Sequence, residues 1–200
     1  MSTLIISDLH LTSKFEVKKY QLLHKIFSYY DTIIINGDLW EGLQISFDDF
    51  LHSKWNLLFP LIKEKCIYIY GNHDDIRFMD KRYKQFCKKC VDSYKLTVGS
   101  KKYLITHGHL SLLHKPSLAG MVDNPELFRK GNLLRPMVLS YKFETMVQSL
   151  GEIIIKDSFY FLTRFVNKEM YKQLRREEDK SYIVTGHSHA SDINEEIKFI

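Results

Sequence analysis

Apolar residues come along this chain in two rhythms. Residues 4–7 (LIIS) form a short apolar run that ends in polar residues, and residues 17–30 set Leu22, Leu23, Ile26 and Phe27 at helical spacing, so a strand followed by a helix is predicted. Residues 32–36 (TIIIN) are a β-branched run, as a strand covered on both faces requires, and Gly37-Asp38 stops it. The order returns with a helix over 47–58 and a strand over 66–70 that ends at Gly71-Asn72. A basic helical stretch over 81–89 precedes two strands, 94–98 and 103–106, with Gly99-Ser100 as the hairpin turn between them. From 112 to 179 the composition is helical, with Pro125 and Pro136 as helix starts or breaks, and the strand pattern resumes over 182–184 and again over 193–200.

Alternating strands and helices define an α/β class, and 200 residues suit one domain (1–200) interrupted by a helical cap at about 112–179. An apolar fraction of 44% with 26% charged residues excludes a disordered chain. The N-terminal apolar run is too short for a membrane span and has no basic segment before it. Three cysteines, Cys66, Cys87 and Cys90, form an odd set without a second CxxC to complete a thiolate zinc site, and they read as reduced thiols of a cytoplasmic protein. A net charge of +5 favours anionic partners without choosing among phosphates, nucleic acid and an anionic membrane surface.

The chemistry lies where the strands stop. Five segments share one layout, an apolar run followed at once by residues able to ligate metals: Asp8-Leu9-His10, Gly37-Asp38, Gly71-Asn72-His73-Asp74, His107-Gly108-His109 and Gly186-His187-Ser188-His189. Taken singly, a His or Asp at a strand end reads as a cap or a solvated turn. Five on the strands of one open sheet would converge outside its carboxyl edge, where α/β folds bind ligands. Mixed carboxylate and imidazole donors without thiolate suit Mn²⁺ first, with Fe²⁺ or Zn²⁺ as alternatives. His24, His52 and His114 lie away from strand ends and are given no role.

In this order, DLH, GD, GNHD, a further histidine and GHSH resemble the calcineurin-like metallophosphoesterase superfamily along nearly the whole chain. The resemblance implies a sandwich of two mixed sheets flanked by helices, with an inserted helical cap. It also implies two divalent ions, one held by Asp8, His10 and His189, the other by Asn72, His107 and His187, with Asp38 bridging both. A hydroxide between the ions would attack phosphorus, His73 would stabilise or protonate the leaving oxygen, and Asp74 would orient His73 from behind. His109 is either a further contact near the metals or a substrate contact.

GDLWEG, HGHL and the long helical insertion look most like the UDP-2,3-diacylglucosamine pyrophosphatase-like branch, in which the insertion receives the acyl chains of a lipid-linked substrate. Phe143, Met146, Phe159 and Phe165 beside Arg129, Arg135, Arg164 and Lys168 fit such a substrate or a peripheral contact with the inner membrane face, and a core-forming cap explains them as well. Dedicated lipid A enzymes carry Arg and Asp at the positions of His73 and His109. A nuclease or general phosphodiesterase, tracked by the basic 81–89 cluster, and a non-catalytic metal-bound scaffold are therefore alternative readings.

Overall fold

The computed structural model describes residues 2–109, 171, 174–175 and 181–187. Two sheets carry the fold. The first holds β1 (Thr3–Ile6), β2 (Thr32–Asn36), β3 (Cys66–Ile69) and β4 (Lys89–Val91) in that spatial order, all parallel. The second holds β5 (Ser93–Val98) and β6 (Lys101–Thr106) as an antiparallel pair, with β7 (Tyr182–Val184) parallel to β6. Among the described residues, then, only the second sheet is mixed.

Alternation on β2 and β3 assigns their faces. Ile33, Ile35, Cys66 and Tyr68 point to the helical side, while Ile34, Ile67 and Ile69 meet Ile105, Tyr94, Leu96 and Val184 between the sheets. This two-sided burial is why TIIIN reads as a continuous apolar run rather than an alternating one.

Helix α1 (Val17–Tyr29) buries Leu23 and Phe27 and rests Tyr20 and Ile26 against the same core, whereas Leu22 is exposed. The stripe is therefore displaced by part of a turn from the one its apolar residues alone suggested. Helix α2 (Phe47–His52) starts on a capping box in which Ser46 Oγ accepts from Asp49 N and the Asp49 carboxylate accepts from Ser46 N.

The helix expected over 47–58 breaks after His52 into a 3-10 stretch, Lys54–Leu58, followed by α3 (Phe59–Ile62) with Pro60 in its first turn. The 81–89 stretch also departs from expectation. Lys81–Gln85 is a 3-10 segment capped by Asp80, and Lys89 opens β4, a strand the basic composition concealed. Phe86, fully buried between these two, sits among Phe47, Phe50, Phe59 and Tyr68 and anchors the turn to the core.

Gly99-Ser100 makes the expected hairpin turn, Gly99 taking φ 59°. Of the cap at 112–179, Tyr171, Leu174 and Arg175 are helical, and Leu174 packs on Ile183 of β7; the rest of the cap, and the strand candidate at 193–200, lie outside the described residues. Cys66, Cys87 and Cys90 are free thiols whose pKa values burial pushes up, so the CxxC is a packing feature. No helix among the described residues is long and apolar enough to cross a membrane.

Candidate metal centre

The ends of β1, β2 and β3 in one sheet and of β6 and β7 in the other meet at a single place, so the convergence expected of one sheet is built by two. Asn36, the last residue of β2, ties them: its Nδ2 donates to the Thr106 carbonyl at the end of β6 (3.1 Å), and its own carbonyl accepts from His107 Nδ1 (2.9 Å). Backbone hydrogen bonds Asp8 N to Gly37 O (3.1 Å) and His10 N to Asp38 O (2.9 Å) zip the β1 loop onto the β2 loop.

Asp38 is the centre. It is 1% exposed, its Oδ2 lies 3.2 Å from His107 Nε2 and 3.9 Å from His10 Nε2, and its Oδ1 accepts from His73 N (3.0 Å). Two groups of candidate donor atoms share this carboxylate: His10, Asp38 and His73, and Asp38, His107 and His187, the atoms of each group lying within 4.8 Å of one another. Asn72 joins the second through Oδ1, 3.2 Å from His107 Nε2. Asp8 reaches the centre through the backbone of His187, whose N–H it faces with both carboxylate oxygens at 3.2 and 3.3 Å. His189 lies outside the described residues.

Backbone conformation marks the same residues. Among the described non-glycine residues, positive φ occurs at Asp8 (57°), His10 (45°), Asp38 (54°) and His187 (69°), each of them a ligand position expected from the sequence. An L-residue in this region costs about 1–2 kcal/mol, and such strain concentrates where a site over-determines the chain. Four instances on one cluster show loops bent to converge their side chains.

The electrostatics call for positive charge. Burial opposes ionisation of Asp38, yet hydrogen bonding and charge from His107, with the charge of His73, hold its carboxyl well below the usual range. Burial likewise disfavours charge on His73 and His107, but Glu41 and Asp38 raise the first to about 9, and Asp38 and Asp8 help raise the second to about 9. A divalent ion would answer the same buried carboxylates that raise these imidazoles. The ligand set fits such an ion: His107 Nδ1 must donate to the Asn36 carbonyl, which turns Nε2 toward Asp38 and Asn72.

One residue did not stand out in the sequence. Glu41, 1% exposed, accepts from His10 Nδ1 (3.1 Å) and His73 Nδ1 (2.7 Å); an acidic residue beside the buried Trp40 in GDLWEG was the available signal. Asp74 corrects an expectation. Its carboxylate accepts from Asp38 N (3.1 Å), Leu39 N (2.5 Å) and Gly71 N (2.6 Å), so it holds the β2 and β3 loops together, while Glu41 is the residue that orients His73. His109 is 5% exposed, its ring nitrogens are buried without a hydrogen-bond partner among the described residues, and burial with repulsion from His107 and His187 lowers it to about 3. It belongs to neither donor group.

Gly71 explains why GNHD opens on glycine. A Cβ there would collide with the Asp38 carboxylate and approach Asp38 N to 2.8 Å. Gly71→Ala is expected to lower stability by about 1–3 kcal/mol through overpacking and to weaken divalent-ion uptake, as read by urea unfolding and Mn²⁺ titration. An unchanged ion affinity would show that the Asp38 loop moves aside without consequence.

A family model described as calcineurin-like phosphoesterase matches residues 1–191. The chain belongs to that family. No curated protein matches it in sequence. A protein of unknown function from Aquifex aeolicus shares its fold at 15% identity and a TM-score of 0.50, covering all of this chain and 88% of its own. A predicted phosphoesterase from Streptococcus pneumoniae (15% identity, TM-score 0.42, covering 99% and 68%) and a Vps29 single mutant from Entamoeba histolytica (13%, 0.46, 98% and 68%) are also similar.

Proposed function

We propose that this protein is a phosphohydrolase that cleaves a phosphodiester or pyrophosphate bond with two divalent ions, manganese before iron or zinc. One observation carries the reading: a single buried carboxylate, Asp38, is shared by two clusters of imidazoles. Asp8, His10 and His189 would hold one ion and Asn72, His107 and His187 the other, with Asp38 serving both. Ions held there would supply Lewis acidity toward the phosphoryl oxygens and would lower the pKa of a nearby water.

The chain's own groups do the rest. His73 is pinned through Nδ1 to Glu41, which leaves Nε2 to deliver a proton to the leaving oxygen. The backbone N–H of His73 and the shared carboxylate fix the two loops relative to each other, so the reacting groups need little rearrangement. For the substrate we favour a nucleotide-linked lipid or sugar such as UDP-2,3-diacylglucosamine, received by the 112–179 cap at the inner membrane face.

Metal-stripped protein should hydrolyse UDP-2,3-diacylglucosamine only when Mn²⁺ is restored, and His73→Ala should lower kcat by about 10²- to 10⁴-fold, as loss of a general acid does. Mn²⁺-dependent cleavage of bis-p-nitrophenyl phosphate without the lipid substrate would move the assignment to a nuclease or general phosphodiesterase. Two bound ions with no turnover of either would favour a non-catalytic scaffold.

A further inference from the structure

Glu41, already placed behind His73, also accepts from a second ring of the centre, and that division gives it a wider task. Its two carboxylate oxygens are divided between two rings: Oε2 accepts from His10 Nδ1 at 3.1 Å and Oε1 from His73 Nδ1 at 2.7 Å. The rings stand edge to face, 4.7 Å apart at 89°, above one buried carboxylate. An ionised carboxylate only accepts, so both Nδ1 atoms must carry hydrogen.

The backbone repeats the clamp. Glu41 N donates to Leu11 O (3.0 Å), beside His10, and Gly42 N donates to His73 O (2.9 Å). Residues 41–42 therefore grip the β1 loop and the β3 loop by main chain and side chain together. A Cβ at position 42 would collide with the His73 carbonyl, which keeps that grip close.

We propose that Glu41 is the positioning residue of the centre: one carboxylate fixes His10 and His73 with hydrogen on Nδ1 and presents both Nε2 atoms to the Asp38 side. This rests on the two-ion reading in so far as Nε2 of His10 is a ligand. A carboxylate behind a ligating imidazole raises its basicity and fixes its orientation, and loss of such partners lowers metal affinity by about 10- to 100-fold.

Glu41→Gln discriminates this role from simple packing, because glutamine keeps the volume but offers one acceptor oxygen. Its amide nitrogen donates, so one of the two histidines must turn over or move its hydrogen to Nε2: on His10 that blocks a ligand lone pair, and on His73 it loosens the ring beside the ligands. Mn²⁺ affinity of the stripped protein should fall by about 10- to 100-fold in Glu41→Gln, with the circular dichroism spectrum retained.

The second readout needs no metal. In ¹⁵N-histidine-labelled, metal-free wild type, the Nδ1 protons of His10 and His73 should appear as downfield, slowly exchanging signals, and Glu41→Gln should lose at least one. Wild type lacking either signal, or a variant that keeps both along with its Mn²⁺ affinity, would overturn the proposal. Should wild type take up none of Mn²⁺, Fe²⁺ and Zn²⁺ while showing both protons, the phosphohydrolase reading falls and the positioning role stands. The wild-type spectrum also decides the matter if the variant does not fold.

Discussion

Asp38→Ala should remove both divalent ions at once and bring Mn²⁺-dependent hydrolysis to background, whereas His187→Ala should spare the ion on the His10 side. The asymmetry follows from the sharing of one carboxylate between the two donor groups. Losing several kcal/mol of charge stabilisation in the transition state corresponds to a loss of about 10³-fold or more in rate. Removing Asp38 relieves the repulsion on Asp74, whose carboxyl is raised to about 6 by burial and by the Asp38 charge, but it also gives up the His107 and His73 contacts that hold the Asp38 carboxyl low, so a retained circular dichroism spectrum is the control. Elemental analysis of gel-filtered protein alongside turnover checks both halves. Two ions retained at full activity would show that Asp38 does not bridge.

Much of this was legible in the sequence because periodicity and punctuation report burial directly. TIIIN had to be a strand covered on both faces, and Gly37, Gly71 and Gly186 marked where strands stop and backbones crowd. Hairpin 93–106 was readable from its turn. Local signals misjudged several places, among them the helix over 47–58, which breaks after His52. Leu22 lies on the α1 sequence stripe, but Tyr20 takes its place because the core packs against that side. Lysines around 81–89 disguised β4, whose short edge strand tolerates charge since only one side of it is paired in the described sheet.

A further misjudgement concerns contacts rather than elements. That Asp74 serves three backbone donors and Glu41 two rings depends on loops from different strands meeting, and no spacing within one segment encodes that. The four positive φ values are equally invisible, because Asp and His do not announce a left-handed residue as glycine does. The ligand residue types were readable; the framework that aims them was not.

That framework can be tested on Asp74. Asp74→Ala should destabilise the protein by about 3–5 kcal/mol, because it orphans the buried N–H groups of Asp38, Leu39 and Gly71, each worth roughly 1–3 kcal/mol when left unsatisfied. A competing effect works the other way, since Asp74 is fully buried next to Asp38 and its ionised form is disfavoured. Bound cations would screen that repulsion, so it offsets the loss only in the metal-free protein. The stability difference between wild type and variant, read from urea unfolding, should therefore be larger with Mn²⁺ than without. Asp74→Asn should fall between them, because its oxygen can still accept from one loop while its amide opposes an N–H of the other. A variant as stable as wild type in both conditions would mean that water replaces the carboxylate, and that the β2 and β3 loops are held by the sheet alone.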